Sequence, residues 1–225
     1  MDGGYYNHEF LATSIQSRIG ERQKVLELGS GTGQMAKALL QANSTYDLVG
    51  IDFSPEMIEI ANQRLSHSIP IIHCDVAEMN LDRKFDAAIS VGGTWVIVKS
   101  ENELLLGTHL YNQEKDLRGL QNVADHLDIG GLLLLSVHSP HEDREVELEN
   151  GIIYSQKIGK GNGDSDHFSR EKTYSFSKQG TVLAKETLTL GFYKDTVFLK
   201  MLADVGFKHL GMADAEKFFI LEKVA

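Results

Sequence analysis

The chain has 225 residues, 22 basic against 32 acidic side chains, and a formal net charge of −10. That length supports a sizeable core in one domain, 1–225, and that charge argues against nucleic acid or an anionic membrane as partner. One cysteine, Cys74, forbids an internal disulfide. The longest apolar run, 132–137, is too short to cross a bilayer, and no signal segment opens the chain, so a soluble cytoplasmic protein is expected.

In chain order, Phe10, Leu11, Ile15 and Ile19 are spaced for one face of a helix over 8–20. An apolar strand over 24–28 runs into a glycine-rich turn and a helix over 33–42 with Met35, Ala38 and Leu39 inward. A second strand, 47–52, leads to Ser54-Pro55, a cap and a first helical residue that announce a helix to about Leu65. Strands over 69–74 and 85–91 follow, then a helix over 113–128 closed by Gly130-Gly131 and a strand over 132–137. Strands and helices alternating in this way predict a Rossmann-like, doubly wound, mostly parallel sheet. Residues 146–193 lack helical periodicity and predict three antiparallel strands over 146–158, 167–178 and 181–192, with a turn at 159–164. A helix over 195–204 and strands over 207–212 and 217–223 close the chain.

The segment Glu27-Leu28-Gly29-Ser30-Gly31-Thr32-Gly33 carries the functional signal. Three glycines at every second position let the backbone turn sharply and let a ligand lie against it. Asp52, ending the second strand, is placed to hold ribose hydroxyls. The spacing is GxGxG rather than GxGxxG, and Glu27 would repel a pyrophosphate but suits an ammonium group. S-adenosylmethionine, which carries an amino acid end and a nucleoside, fits better than a nicotinamide dinucleotide.

Together with Asp52-Phe53-Ser54-Pro55-Glu56-Met57, Cys74-Asp75-Val76, Phe85-Asp86, Leu127-Asp128-Ile129-Gly130-Gly131 and Val205-Gly206-Phe207, that loop resembles the class I S-adenosylmethionine-dependent methyltransferases, in the family's order along the chain. The resemblance implies a seven-stranded sheet with one antiparallel strand. The β-rich insertion after the fifth strand looks like the subgroup that methylates glycine or macrolide amino sugars. By position, Glu27, Gly29, Ser30, Gly31 and Gly33 would face the methionine end of the cofactor. Asp52 would hold the ribose, Phe53 and Met57 would flank the adenosine, and Asp75 and Val76 would read the adenine. Ser90 and Val91 would lie beside the sulfonium, and Tyr5 and Tyr6 would belong to a cap over the site.

The acceptor side is less marked. Trp95 is a candidate for the pocket wall or for the core, and His109 and His138 are candidate proton acceptors, with His109 also readable as a surface or cap histidine. His138, His141, Glu142 and Asp143 also read as a polar loop, and methyl transfer from a sulfonium requires no metal, so none is expected. The expected acceptor is a small molecule, methylated on nitrogen rather than oxygen, with S-adenosylhomocysteine as product. The 146–193 insertion is expected to act as a lid or a homodimer contact. A nucleic-acid or protein methyltransferase and a non-catalytic S-adenosylmethionine-binding module are the alternatives.

Overall fold

A computed structural model describes residues 7–213 and 217–225. Helix α1 (His8–Ile19) starts at Asn7, whose side chain accepts from the Phe10 amide, and it buries Leu11, Ile15 and Ile19. Phe10, expected on that face, is exposed instead. Strand β1 (Lys24–Leu28), helix α2 (Gln34–Ala42), strand β2 (Asp47–Asp52), helix α3 (Pro55–Leu65), strand β3 (Ile71–His73) and strand β4 (Phe85–Ser90) then alternate as the sequence predicts. β3 is shorter than the 69–74 range. Ser54 caps α3 by accepting from the Met57 amide.

Next comes a feature the sequence reading left unassigned. Strands β5 (Trp95–Lys99) and β6 (Leu104–Thr108) form an antiparallel hairpin before helix α4 (Gln113–His126). Strand β7 spans Leu127–His138, starting well before the predicted 132 because Asp128-Ile129-Gly130-Gly131 stays in the strand as an irregularity instead of ending a helix. Then come β8 (Arg144–Glu147), β9 (Ile152–Gly163), β10 (His167–Lys178), β11 (Thr181–Lys194), α5 (Asp195–Asp204), β12 (Phe207–Ala213) and β13 (Phe218–Lys223). The glycine-rich stretch 159–163, predicted as a turn, continues β9 and pairs with β10 across a bulge; the turn falls at 164–166.

The central sheet runs β3-β2-β1-β4-β7-β13-β12, with β13 antiparallel to both its neighbours and the first five strands parallel. Side chains of these strands alternate between two cores. Leu26, Ile51, Ala88 and Leu133 join one apolar layer, and Val25, Leu48, Ala87 and Leu132 join the other. Both faces are therefore covered, as a parallel sheet requires.

A second, antiparallel run β5-β6-β11-β10-β9-β8 is attached where β5 pairs with the last two residues of β7, Ile97 with Val137 and Val98 with His138. This array draws on 95–108 as well as on the predicted 146–193. It rises from the carboxyl ends of the parallel strands, where open α/β sheets bind ligands. A buried carboxylate locks the two parts together. Asp116 of α4 accepts from Trp95 Nε1 (2.7 Å), Thr108 Oγ1 (2.6 Å) and Tyr193 OH (2.9 Å), drawing β5, β6 and β11 onto the helix.

Candidate active site

The loop after β1 depends on backbone conformations that glycine permits. Gly29, Gly31 and Gly33 all have positive φ, from +52° to +74°, a region that glycine enters without steric cost. A Cβ on Gly29 would stand 2.8 Å from Gly93 Cα, and one on Gly93 would stand 2.2 Å from the Leu28 carbonyl oxygen. The loops after β1 and β4 thus touch backbone to backbone. Around the Gly31 Cβ position there is open space.

Two acids converge on this loop. Asp52 is buried and accepts from the Gly31 amide (2.7 Å) and the Ser54 amide (2.9 Å), one on each carboxylate oxygen. Each oxygen keeps a lone pair for a further donor. Glu27 is buried too, and its Oε2 has no hydrogen-bond partner within the protein. Burial, with a contribution from the Asp52 charge, pushes its carboxyl up to about 8. A buried carboxyl oxygen without a donor is costly, and a ligand ammonium group would satisfy it. The first turn of α2 has no side-chain cap, so its amides suit the ligand's carboxylate. An amino acid end and a ribose therefore fit the residues present. Phe53, 70 % exposed, and Met57 stand beside Asp52 as apolar surface for a nucleoside base, and His73 Nε2 holds the Phe53 carbonyl at 3.0 Å.

Other expected positions do different work. Asp75 caps the short 76–78 turn by accepting from the Ala77 amide (2.9 Å), and its second oxygen pairs with Lys115 Nζ (3.2 Å). Only lone pairs left over from those contacts remain for an adenine amino group. Val76 is buried, its carbonyl bound by Asn122. Ser90 is fully buried; its hydroxyl donates to the Trp95 carbonyl (2.8 Å) and accepts from the Trp95 amide (3.2 Å), closing the turn after β4. Val91 is half-buried against the core. Trp95 is 0 % exposed and its indole N–H is taken by Asp116. Of its two readings, pocket wall or core, this burial favours the core. Tyr5 and Tyr6 lie outside the described residues.

A cavity of about 440 Å³ lies between the carboxyl end of the central sheet and the inner face of the antiparallel array. Gly92, next to the Gly93 that packs on Gly29, forms part of its wall, so it adjoins the glycine loop. His109 and His138, both expected near the chemistry, line it together. So do His141, Tyr154, Lys172 and Tyr174, which the sequence reading did not place there. Ser136 Oγ accepts from the Gly92 amide (3.1 Å) and shares a hydrogen bond with His138 Nε2 (2.8 Å), which orients the ring. Burial, aided by Lys172, pushes His138 and His141 down to about 4 and lowers His109 as well. At neutral pH His138 and His141 are uncharged hydrogen-bonding groups and weak bases.

Residues 25–131 match the family model described as a methyltransferase domain, over the glycine loop, Asp52, the first four parallel strands and the beginning of β7. That stretch, 107 of the 225 residues, is similar to a methyltransferase domain. Among curated proteins it resembles the putative methyltransferase YqeM of Bacillus subtilis, 29 % identical over 59 % of this chain and 49 % of that protein. A malonyl-[acyl-carrier protein] O-methyltransferase of Bacillus cereus is 28 % identical over 60 % of this chain and 47 % of that one. The chain thus spans about half the length of the curated relatives it matches. Among solved structures, DesVI of Streptomyces venezuelae superposes with a TM-score of 0.71 at 17 % identity, covering 99 % of this chain and 94 % of that one. An amino pentose methyltransferase of Micromonospora echinaspora gives 0.71 at 14 % identity with the same coverage. These likenesses show that the fold of the methyltransferase domain, antiparallel array included, is shared. S-adenosylmethionine is the cofactor of such a domain, and the residues around Glu27 and Asp52 fit it.

Proposed function

We propose that this protein transfers a methyl group from S-adenosylmethionine to a nitrogen of a small molecule seated in the 440 Å³ cavity, releasing S-adenosylhomocysteine. The observation that carries this reading is the contact between the two sites: Gly29 of the cofactor loop packs on Gly93, whose neighbour Gly92 walls the cavity. Bound at the loop, S-adenosylmethionine supplies a methyl group already activated by the positive charge on its sulfur. The chain's own task is then alignment and exclusion of water, which is worth on the order of several kcal/mol.

The cavity favours an acceptor in its nucleophilic form. Lys172 adds positive charge to a buried space, so an amine entering there is held as the free base rather than as ammonium. Uncharged His138 and His141 accept hydrogen bonds from it without having to keep its proton. The antiparallel array covers the acceptor, and its role as a lid, or as a contact between two copies, belongs to this proposal. So does a cytoplasmic setting: among the described residues no helix is long and apolar enough to cross a membrane. The sugar N-methyltransferase of Streptoalloteichus, with a TM-score of 0.68 at 18 % identity, supports nitrogen by architecture.

The test is a labelled-methyl transfer assay against panels of small amines, alcohols and carboxylic acids, with protein and RNA as further arms. Transfer to amines is expected. Transfer confined to hydroxyl or carboxyl groups would overturn the choice of nitrogen, and transfer to RNA or protein would overturn the small-molecule reading.

A further inference from the structure

The acceptor cavity contains a charge that the protein does not neutralise. Lys172, in the middle of β10, is 4 % exposed, yet it lines the cavity. Its ammonium lies 3.3 Å from His141 Nδ1 and 5.0 Å from the centre of the Tyr174 ring. Those partners are an uncharged acceptor and a ring face. No carboxylate of the described residues is ion-paired with it. The one acid on the cavity wall, Glu186, sits on an exposed part of β11 opposite Tyr174 and leaves the Lys172 ammonium uncompensated. A buried ammonium without a counter-charge is expensive to keep, and its remaining N–H groups have an open cavity before them.

We propose that Lys172 is an anion-recognition residue, and that the acceptor of this enzyme carries a carboxylate or a phosphate which pairs with that ammonium. The inference rests on the methyltransferase reading and adds the substrate class to it. The pairing satisfies the lysine, restores the charge balance of the cavity, and pins one end of the acceptor near His141. It thereby fixes which part of the molecule is turned toward Gly92 and the cofactor loop. Among charged groups on the cavity wall, only Lys172 combines near-complete burial with an ammonium, which burial pushes down to about 8 and an anion would hold in its charged form. His109, His138 and His141 are uncharged around it, and Tyr154 and Tyr174 line the same wall. An acceptor with a second cationic group in place of the anion would meet repulsion from Lys172 with no acid beside it.

The test uses the full chain saturated with S-adenosylhomocysteine, whose binding is measured first by calorimetry. Acetate and inorganic phosphate are then titrated in separate arms, while the imidazole resonances of His138 and His141 are followed by NMR. Saturable shifts are expected with at least one anion, and which arm gives them distinguishes carboxylate from phosphate. Lys172→Arg, which keeps the charge, should retain the affinity within about threefold. Lys172→Met, which keeps the bulk, should lose at least tenfold. Absence of shifts with both anions, or shifts undiminished in Lys172→Met, overturns the inference. Failure of S-adenosylhomocysteine itself to bind overturns instead the reading on which it rests.

Discussion

The buried Glu27 carboxyl, with Oε2 unpartnered, should make cofactor binding depend on pH in a way that can be worked out. In the free protein Glu27 titrates at about 8, raised chiefly by burial; to pair with the ligand's ammonium it must be ionised. The ionised fraction is about 1 % at pH 6 and about 9 % at pH 7. Over that interval the ligand amine, with an ordinary α-amino pKa of about 8, stays mostly charged. Affinity for S-adenosylhomocysteine should therefore rise about eightfold from pH 6 to pH 7, peak near pH 8 and fall above it as the amine loses its proton. At pH 7 binding should release about 0.9 of a proton from Glu27, slightly offset by uptake on the ligand amine. Calorimetry in buffers of different ionisation enthalpy reads that number directly. Glu27→Gln should bind more weakly, release almost no proton and lose the pH dependence. Proton release near zero in the unaltered protein, or an unchanged slope in Glu27→Gln, would refute the pairing of Glu27 with the ligand amine.

Further outcomes follow from the same geometry. Because the folded-state pKa of Glu27 lies above its unfolded value of 4.5, only the folded state holds the proton between those values. Stability of the cofactor-free protein, followed by urea titration, should fall as pH rises through that window, and Glu27→Gln should flatten the trend. Gly93→Ala drives a Cβ to 2.2 Å from the Leu28 carbonyl oxygen and should cost about 1–3 kcal/mol in urea unfolding while weakening S-adenosylhomocysteine binding; an unaltered midpoint would contradict the close approach of the two loops. Asp116→Ala strands three buried donors and should cost about 3–5 kcal/mol, with fluorescence of Trp95, the single tryptophan, changing in the same transition as the far-ultraviolet signal. Since His138 is pushed down to about 4, the pH profile of kcat/KM should show no histidine limb between pH 6 and 7; a limb there that disappears in His138→Gln would contradict the buried, uncharged ring.

The parallel half of the molecule was legible because each element announced itself through local chemistry. Ser54 and Pro55 start α3, glycines turn the chain after β1, and apolar strands deliver Glu27 and Asp52 to one edge. The β5–β6 hairpin was not legible. Trp95-Val96-Ile97-Val98 and Leu104-Leu105-Leu106 are continuous apolar runs, buried on both faces, and such runs carry no period-two signal. Trp95 could not be assigned from sequence because its partner Asp116 lies 21 residues away, in a polar stretch that reads as an ordinary acidic first turn of a helix. Lys172 was missed for a related reason: one lysine in a polar strand reads as solvated surface. The signal that would have found it is parity. Phe168, Lys172, Tyr174 and Phe176 share one face of β10, which puts the charge on an aromatic side that the protein turns inward.

The central claim is that two acids at the edge of the parallel sheet hold the amino acid end and the sugar of S-adenosylmethionine. Calorimetric titration of the unaltered chain and of a Glu27→Ala, Asp52→Ala double variant with S-adenosylhomocysteine, and with NAD as a control, tests it most directly. One saturable site for S-adenosylhomocysteine, none for NAD, and loss of that site in the double variant is the expected result. Tight NAD binding, or undiminished S-adenosylhomocysteine affinity without the two carboxylates, would contradict it.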